Sequence, residues 1–276
     1  MKKRPSRVVA IHSLTSFGRS SMAVIMPALS VMGVQCCPVP TSVLSTHTGR
    51  LGKPSVVSLA DQVQNTLHHF QQLNLPMEAV YTGYLGNAQL IDICKEYFAH
   101  YKTALKVCDP VMGDDGHAYA GIGEDLIQQM ADLCAAADVI TPNQTEAAML
   151  LGYTPRLLPL TRESAERWCQ KLMDLCQRVV ITGIICADGN RYNVVGENGQ
   201  VTFLPIHYVQ AGYPGTGDLF TAVVTGRLLK GDSLAQAVEF AADFVRDAIE
   251  ITAQTGEDTR YGVCIELLMD RLTDKG

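Results

Sequence analysis

The sequence predicts an α/β protein with three layers, in which helices cover both faces of a mostly parallel central sheet. Short runs rich in Val and Ile alternate along the chain with longer segments of helical periodicity, and this alternation is typical of βαβ units. An Asn198-Gly199 pair between two later apolar runs adds a short antiparallel hairpin. Because there is no internal repeat and no linker-like segment, we expect residues 1–276 to form a single domain.

The predicted strands are short apolar runs, often β-branched, that are followed by polar residues or glycine. The runs predicted as parallel strands are 8–11, 35–39, 79–82, 105–108, 139–140 and 179–181, and the hairpin strands are 191–195 and 201–205. The polar segment 41–53 is predicted to be a loop, and loops of this length are usually functional or form a flap.

The predicted helices carry apolar residues at spacings of three and four. They cover 20–32, 59–73, 90–101, 122–137, 163–175, 219–229 and 233–252, and one more helix opens at 141–146. Gly33 follows the first helix at the place of a C-terminal cap.

The composition is that of a globular protein with a substantial core. Of the 276 residues, 47% are hydrophobic and 18% are charged, and the net charge is −6. No basic run has the density of a nucleic-acid-binding face, so we expect no nucleic-acid partner. The apolar run behind the basic N-terminus is too short for a signal peptide or a membrane span, which predicts a cytoplasmic protein without a membrane partner. The nine cysteines form no CxxC pair and lie mostly in apolar runs, so we expect buried thiols in a reducing compartment.

The segment Gly215-Thr216-Gly217-Asp218 directly precedes an apolar helical pattern. Its glycines permit positive φ and close approach of a ligand, and the N–H groups of such a turn and of the following helix form an anion site. A carboxylate beside a bound phosphate is repelled unless it has a chemical task, such as taking a proton from an attacking hydroxyl. The alternative is a tight turn in which Asp218 is the N-cap of the helix. These residues alone do not decide between the two.

Acidic residues collect at the carboxyl ends of the predicted parallel strands, where such sheets bind ligands. Asp109 and Asp114 follow one strand and Glu146 follows another, so three carboxylates are expected close together. Like charges repel unless a cation or water lies among them, and Mg²⁺ favours one or two carboxylates with waters and phosphate oxygens. The alternatives are helix caps or solvated loop charges, and Asn143 and Glu146 have the spacing of a capping box.

Two side chains are placed to contact a flat ligand. Tyr84 lies between Gly83 and Gly86, which lets its ring lean over a pocket, although core packing is an alternative. His47 lies among threonines in the 41–53 segment, where an ordinary surface role is the alternative. The chain has no Walker A sequence, no G-x-G-x-x-G after its first strand and no G-x-S-x-G elbow. These absences weigh against P-loop enzymes, dinucleotide-binding enzymes and α/β-hydrolases.

Five motifs together resemble the pyridoxal kinase branch of the ribokinase-like small-molecule kinases. Residues 215–218 resemble the GTGD signature of that superfamily. The branch is indicated by the motifs at 45–49 (S-T-H-T-G), 83–86 (G-Y-L-G), 109–114 (D-P-V-M-G-D) and 141–146 (T-P-N-Q-T-E). The resemblance implies a ribokinase-like fold. It also implies ATP-dependent phosphorylation of the 5′-hydroxymethyl group of pyridoxal, pyridoxine or pyridoxamine in vitamin B6 salvage.

The resemblance also implies roles for individual residues. Asp218 is expected to be the catalytic base, and the N–H groups of Gly215, Thr216 and Gly217 are expected to hold the phosphoryl group. Asp109, Asn143 and Glu146 are expected to position Mg²⁺. The residues expected to contact ATP are Asp109, Asn143, Glu146, Thr182, Thr216 and Tyr119. Those expected to hold the pyridine substrate are Ser13, His47, Thr48 and Tyr84. The family usually dimerises, so a homodimer is expected, and a requirement for a monovalent cation such as K⁺ stays open.

The chain departs from the family pattern at the substrate rim. Ser20 and Ser21 stand where a Gly-Asn pair is more frequent, and Arg50 stands where an aromatic residue is common. One enzymatic alternative is hydroxymethylpyrimidine kinase, which shares the fold and the D-P-V-M stretch, but its G-S-D-x-S-G-G-A-G run is lacking here. A non-enzymatic alternative is a silent vitamer-binding module, which would have no need of the base Asp218.

Overall fold

The computed structural model describes residues 4–207, 209 and 212–273. The strands are β1 Arg7–Phe17, β2 Gln35–Thr46, β3 Val56–Ser58, β4 Ala79–Thr82, β5 Leu105–Cys108, β6 Gly113–Asp114, β7 His117–Ala118, β8 Val139–Ile140, β9 Arg178–Ile185, β10 Arg191–Glu197 and β11 Gln200–Ile206. The α-helices are α1 Met22–Val31, α2 Ala60–Gln72, α3 Ala88–His100, α4 Glu124–Ala135, α5 Gln144–Leu150, α6 Arg162–Met173, α7 Thr216–Lys230 and α8 Leu234–Thr255.

The chain divides into two compact units. Unit 1 consists of the described residues of 1–83 and 208–276, and unit 2 consists of residues 84–207. Each unit contains parallel strands with helices packed on them, as the alternating pattern of the sequence predicts. The interpretation of residues 1–276 as a single domain stays a prediction.

Unit 1 has the strand order β4-β1-β2-β3. The first strand, β1, is parallel to both β4 and β2, whereas β3 is antiparallel to β2. Residues 8–11 of β1 are fully buried, because helix α1 packs on β1 and β2. Helix α7 packs on α1, α8 and β4, and its long buried stretch explains why its sequence is apolar almost all round.

Two strands of unit 1 are longer than predicted. Strand β1 continues through His12 and Ser13 to Phe17, and β2 continues to Thr46, so the prediction of a loop over 41–53 is wrong in its first half. The polar residues Thr41 and Ser42 are buried there, because β2 pairs with β1 on one side and with β3 on the other. Pairing on both edges overrode a polar sequence that resembles a loop.

Unit 2 has the strand order β11-β10-β9-β8-β5. Strands β5, β8 and β9 are parallel, whereas β10 is antiparallel to β9 and β11. The predicted hairpin is confirmed: Asn198 and Gly199, with φ of 54° and 75°, form the tight turn that joins β10 to β11. The two-stranded sheet β6-β7 was not predicted, and α4 begins two residues later than its apolar pattern indicated.

The predicted fold class is confirmed, with mostly parallel strands and the predicted antiparallel hairpin of β10 and β11. The nine cysteines are free thiols, of which seven are buried and two half-buried, as their apolar surroundings predicted. Within the described part of the chain, no helix combines the length and the apolar character needed to cross a membrane.

Candidate active site

The GTGD segment forms the start of helix α7 in unit 1. Gly215 is the N-cap residue and has a φ of 81°. A β-carbon at this position would lie 2.3 Å from the backbone oxygen of Arg19 and 2.6 Å from the Cα of Ser20, so only glycine fits. The helix begins without a side-chain cap, which leaves its first N–H groups able to receive an anion. The hydroxyl of Thr216 donates to the carbonyl of Tyr213 at 3.1 Å and so braces the turn.

Asp218 is the third residue of α7, so the alternative in which it is the N-cap is wrong. Its carboxylate instead contacts β1 and the segment that joins β1 to α1. Its Oδ1 lies 3.0 Å from Nε2 of His12, and its Oδ2 accepts the backbone N–H of Ser21 at 2.6 Å. Burial opposes ionisation of this carboxyl, but His12 and the Ser21 N–H outweigh burial, and the net result is a lowered pKa. Asp218 is therefore ionised at neutral pH and able to accept a proton.

Ser21 presents its N–H to Asp218 from a strained backbone. Its φ of 55° and ψ of −138° lie where residues other than glycine rarely occur. The side chain of Ser21 lies 2.9 Å from the hydroxyl of buried Ser13, which in turn lies 3.3 Å from Nδ1 of His12. Ser13, expected to hold the pyridine substrate, therefore belongs to the hydrogen-bond network that surrounds Asp218.

The loop after β2 carries His47 and Thr48 and contacts two other loops of unit 1. Nε2 of His47 lies 2.6 Å from the carbonyl oxygen of Arg260, and the side chain of Arg50 donates to the carbonyl of Gly212 at 3.2 Å. Thr48 is exposed, and His47 is half-buried. Among the contacts of the described residues, neither side chain joins the Asp218 network.

In unit 2, Asn143 and Glu146 form the capping box that was the structural alternative for this motif. The Asn143 side chain accepts the N–H of Glu146, and the Glu146 side chain accepts the N–H of Asn143, both at 2.9 Å. The second oxygen of Glu146 accepts the N–H of Met112 at 3.1 Å, and the Asn143 amide donates to the carbonyl of Gly113 at 2.8 Å. This box joins the start of α5 to the loop after β5.

Two buried carboxyl groups lie in that part of unit 2. Glu146 is 3% exposed and Asp109 is 6% exposed. Burial is the main reason that the pKa of Glu146 is raised well above its usual range, and repulsion from Asp109 is the next. Asp114 contributes less to this shift. Among the described residues, no group of three or more His, Cys, Asp or Glu side chains is arranged to hold a metal ion.

The remaining predicted residues of unit 2 have different surroundings. Thr182 forms a parallel bridge with Asn143, and its N–H donates to the carbonyl of Pro142 at 2.9 Å, so it lies beside the capping box. The ring of Tyr84 lies against Gly86, where a β-carbon would be 3.1 Å from it. Tyr119 donates its backbone N–H to Met112, and its side chain is 41% exposed.

Sequence reasoning missed His12 and treated Ser21 only as a departure at the substrate rim. His12 stands immediately before Ser13 and is 2% exposed, although it is separated from Asp218 by 206 positions. One signal was available, because a histidine inside a buried β-branched strand needs polar partners. The pattern does not reveal which partners those are.

Comparison with known proteins assigns this chain to a family. The model of the phosphomethylpyrimidine kinase family matches residues 26–262. The chain belongs to this family. A pyridoxal kinase of Vibrio campbellii is 30% identical over 265 residues, which cover 91% of this chain and 89% of that protein.

Solved structures of related proteins agree with this membership. The crystal structure of pyridoxal kinase from Lactobacillus plantarum is 30% identical and has a TM-score of 0.88, covering 98% of this chain and 97% of that one. A Bacteroides thetaiotaomicron protein, crystallised with pyridoxal, is 35% identical with a TM-score of 0.89, covering 97% of this chain and 96% of that one. The kinase activity and the resemblance to pyridoxal kinases that the motifs predicted are thereby confirmed.

Proposed function

We propose that this family member transfers the γ-phosphoryl group of ATP to the 5′-hydroxymethyl oxygen of pyridoxal, pyridoxine or pyridoxamine. The observation that carries the proposal is the carboxylate of Asp218, which is held ionised at the start of a helix that has no side-chain cap. A base and an anion site on one helical turn are what phosphorylation of an alcohol requires. The names of the relatives, pyridoxal kinase, support this alcohol as the substrate.

In the proposed reaction the substrate hydroxyl oxygen attacks the γ-phosphorus. A bond forms between these atoms, the bond from the γ-phosphorus to the β–γ bridging oxygen breaks, and ADP leaves with that oxygen. Asp218 takes the hydroxyl proton, while the N–H groups of Gly215, Thr216 and Gly217 hold the migrating phosphoryl group. A positioned base of this kind contributes about 10²- to 10⁴-fold to the rate.

The residues of unit 2 fit a role at the nucleotide and its metal ion. Asp109 and Glu146 are buried acids, and the pKa of Glu146 is raised first by burial and next by repulsion from Asp109, which is the situation a cation relieves. With Asn143 they offer the oxygen ligands that Mg²⁺ accepts, directly or through water. When bound, Mg²⁺ neutralises phosphate charge during transfer. Thr182, Thr216 and Tyr119 are the further residues proposed to contact ATP.

The substrate side of the proposal rests on four residues. Ser13, His47, Thr48 and Tyr84 would hold the pyridine ring. We further propose that the protein is cytoplasmic and forms a homodimer. Light scattering, which measures the mass of the particle in solution, tests the homodimer. Adding KCl to an assay that otherwise contains only Na⁺ salts checks whether a monovalent cation is needed.

A second candidate function is phosphorylation of hydroxymethylpyrimidine. It is favoured by the phosphomethylpyrimidine kinase family model, which matches most of the chain, and by relatives that carry the same name. An ATP-coupled assay with the three B6 vitamers and hydroxymethylpyrimidine separates the two. We expect the highest kcat/KM for a B6 vitamer, and preference for the pyrimidine over all three vitamers would overturn the first proposal.

The role of the base is tested with Asp218→Asn and a matched control. The control is Asp92→Asn, the same chemical change at an exposed position of α3. We expect Asp218→Asn to lose about 10²- to 10⁴-fold in kcat while binding of ATP and pyridoxal is largely retained, and the control to match the wild type. Near-full activity of Asp218→Asn would show that the base is assigned wrongly. Binding of pyridoxal by the wild type without ATP consumption would instead indicate a silent binding module.

A further inference from the structure

His12 lies where it can fix the orientation of the Asp218 carboxylate. The imidazole is 2% exposed, and its Nε2 lies 3.0 Å from Oδ1 of Asp218. The other carboxylate oxygen accepts the N–H of Ser21 at 2.6 Å. With one donor on each oxygen, the carboxylate plane cannot turn without breaking a hydrogen bond. Since a carboxylate has about four lone-pair sites, it keeps room to accept a further proton.

The hydrogen bonds around His12 form a closed circuit in which each donor has an acceptor. If Nε2 carries the proton and donates to Asp218, then Nδ1 accepts, and the Ser13 hydroxyl is the group placed to donate to it at 3.3 Å. Ser13 then accepts from the Ser21 hydroxyl at 2.9 Å, and the Ser21 N–H closes the circuit on Asp218. A doubly protonated ring would reverse only the serine bonds, so Nε2 donates to Asp218 in both states.

The fold leaves a space shaped for the imidazole of His12. Gly83 follows β4, and its N–H donates to the carbonyl of Ile11 on the neighbouring strand β1 at 3.0 Å. A β-carbon on Gly83 would lie 2.0 Å from Cδ2 and 2.4 Å from Nε2 of His12, so any larger residue would displace the imidazole. Tyr81 packs edge-on to the ring, with centroids 6.3 Å apart, and its hydroxyl donates to the backbone oxygen of Asp218 at 3.4 Å. Among the described residues of β4 and β1, Tyr81 and His12 are titratable groups in contact with Asp218, Tyr81 at its backbone oxygen and His12 at its carboxylate.

We propose that His12 is a positioning residue for phosphoryl transfer, which holds the Asp218 carboxylate in the orientation that receives the substrate proton. The proposal rests on the proposed function, because it takes Asp218 as the base. His12 acts through Asp218 and needs no contact with the substrate. A base fixed before the substrate arrives avoids reorganisation during the reaction, which is the general advantage of a preorganised site.

Three substitutions at His12 test the proposal. His12→Gln keeps an N–H donor at about the reach of Nε2, His12→Asn keeps the same amide at a shorter reach, and His12→Leu removes the donor. We expect His12→Gln to retain kcat within about 5-fold, and the Asn and Leu variants to lose about 10- to 100-fold, as expected for loss of a buried hydrogen bond to a charged group. KM for ATP and for the hydroxymethyl substrate should change by no more than about 3-fold in all three.

A second measurement separates positioning from a general structural role. In an Asp218→Asn background, His12→Leu should lower kcat by less than about 2-fold, because the group through which it acts is gone. Circular dichroism checks that each variant is folded, and if His12→Leu does not fold, the Gln and Asn pair carries the test. The proposal is overturned if His12→Asn keeps wild-type kcat, or if His12→Leu costs the same with and without Asp218.

The proposal and the proposed function fail in distinguishable ways. Titration of the Asp218 carboxyl carbon by ¹³C NMR needs no turnover, and in His12→Leu its pKa should rise toward the ordinary value while His12→Gln keeps it lower. If the wild type phosphorylates none of the B6 vitamers, the proposed function is wrong, and the variants are then compared on the substrate that it does phosphorylate. An unchanged carboxyl titration in His12→Leu would overturn the positioning role whatever the substrate.

Discussion

Gly215 is the residue of the GTGD turn whose replacement has the most readily calculated effect. Its φ of 81° is a left-handed conformation, in which alanine costs about 1–2 kcal/mol relative to glycine. A β-carbon would also lie 2.3 Å and 2.6 Å from backbone atoms of Arg19 and Ser20, and such overpacking typically costs about 1–3 kcal/mol. We therefore expect Gly215→Ala to destabilise the protein by about 2–5 kcal/mol. At about 2–4 °C per kcal/mol for a chain near this size, the melting temperature should fall by about 4–20 °C.

Gly231 provides a matched control at the other end of the same helix. It is the C-cap of α7 with a φ of 101°, and a β-carbon there would meet no atom within 4 Å. Gly231→Ala thus has the conformational cost without the collision. By the same conversion, this conformational cost of about 1–2 kcal/mol should lower the melting temperature by about 2–8 °C.

Thermal melts followed by circular dichroism, together with the ATP-coupled assay, measure both effects. Gly215→Ala should also lose at least about 10-fold in kcat, since moving Ser20 away from the new β-carbon shifts the neighbouring Ser21 N–H that holds Asp218. Gly231→Ala should keep wild-type kcat. If the two variants melt within about 2 °C of each other and both are active, the crowding at Gly215 does not constrain the turn and the reasoning is refuted.

Three further outcomes are expected. Asn87→Ala removes the side-chain oxygen that accepts the N–H of Leu90 at the start of α3, so the melting temperature should fall by about 2–4 °C with no change in kcat. Folding lowers the pKa of Asp218, so the ionised carboxylate stabilises the folded protein above the ordinary pKa of an aspartate, and this stabilisation is lost as the pH falls through the lower folded value. The difference in melting temperature between the wild type and Asp218→Asn should therefore narrow as the pH is lowered from about 5 to about 2. Burial raises the pKa of Cys36 and of Cys169 to about 12, so the folded protein should react slowly with a thiol reagent at pH 8. The urea-unfolded protein should react at all nine cysteines.

Local sequence was sufficient for most elements of the fold. The run 8–11 and the Asn198-Gly199 pair each specify one conformation through nearby residues alone, and the structure agrees. The prediction for 41–53 was wrong because the first half of that segment is held by strands on both sides, and neither partner is visible in its own composition. Local rules describe what a segment prefers, whereas pairing decides what it becomes.

The candidate site shows the same division between local and distant information. The motif at 143–146 was given two interpretations, and its capping geometry follows from residues three positions apart. The contact between His12 and Asp218 joins residues 206 positions apart, and no pattern within either segment encodes it. The strained backbone of Ser21 is equally invisible, because serine gives no sequence signal of a positive φ.

The two units hold their carboxyl groups in opposite electrostatic states, and the difference has a physical logic. In unit 1, Asp218 has a donor on each oxygen, one from a buried ring and one from a backbone N–H, and its pKa is lowered despite burial. In unit 2, Glu146 also accepts two N–H groups, yet burial and the neighbouring Asp109 carboxyl raise its pKa. Two N–H donors therefore do not lower the pKa of a buried carboxyl group when a second acid is close, whereas an adjacent imidazole and one N–H donor do lower it. Groups whose surroundings shift their pKa values apart suit different chemical tasks. The lowered pKa of Asp218 suits a base that is ionised at neutral pH, and the raised pKa of Glu146 beside Asp109 suits a pair of acids that a bound cation would ionise.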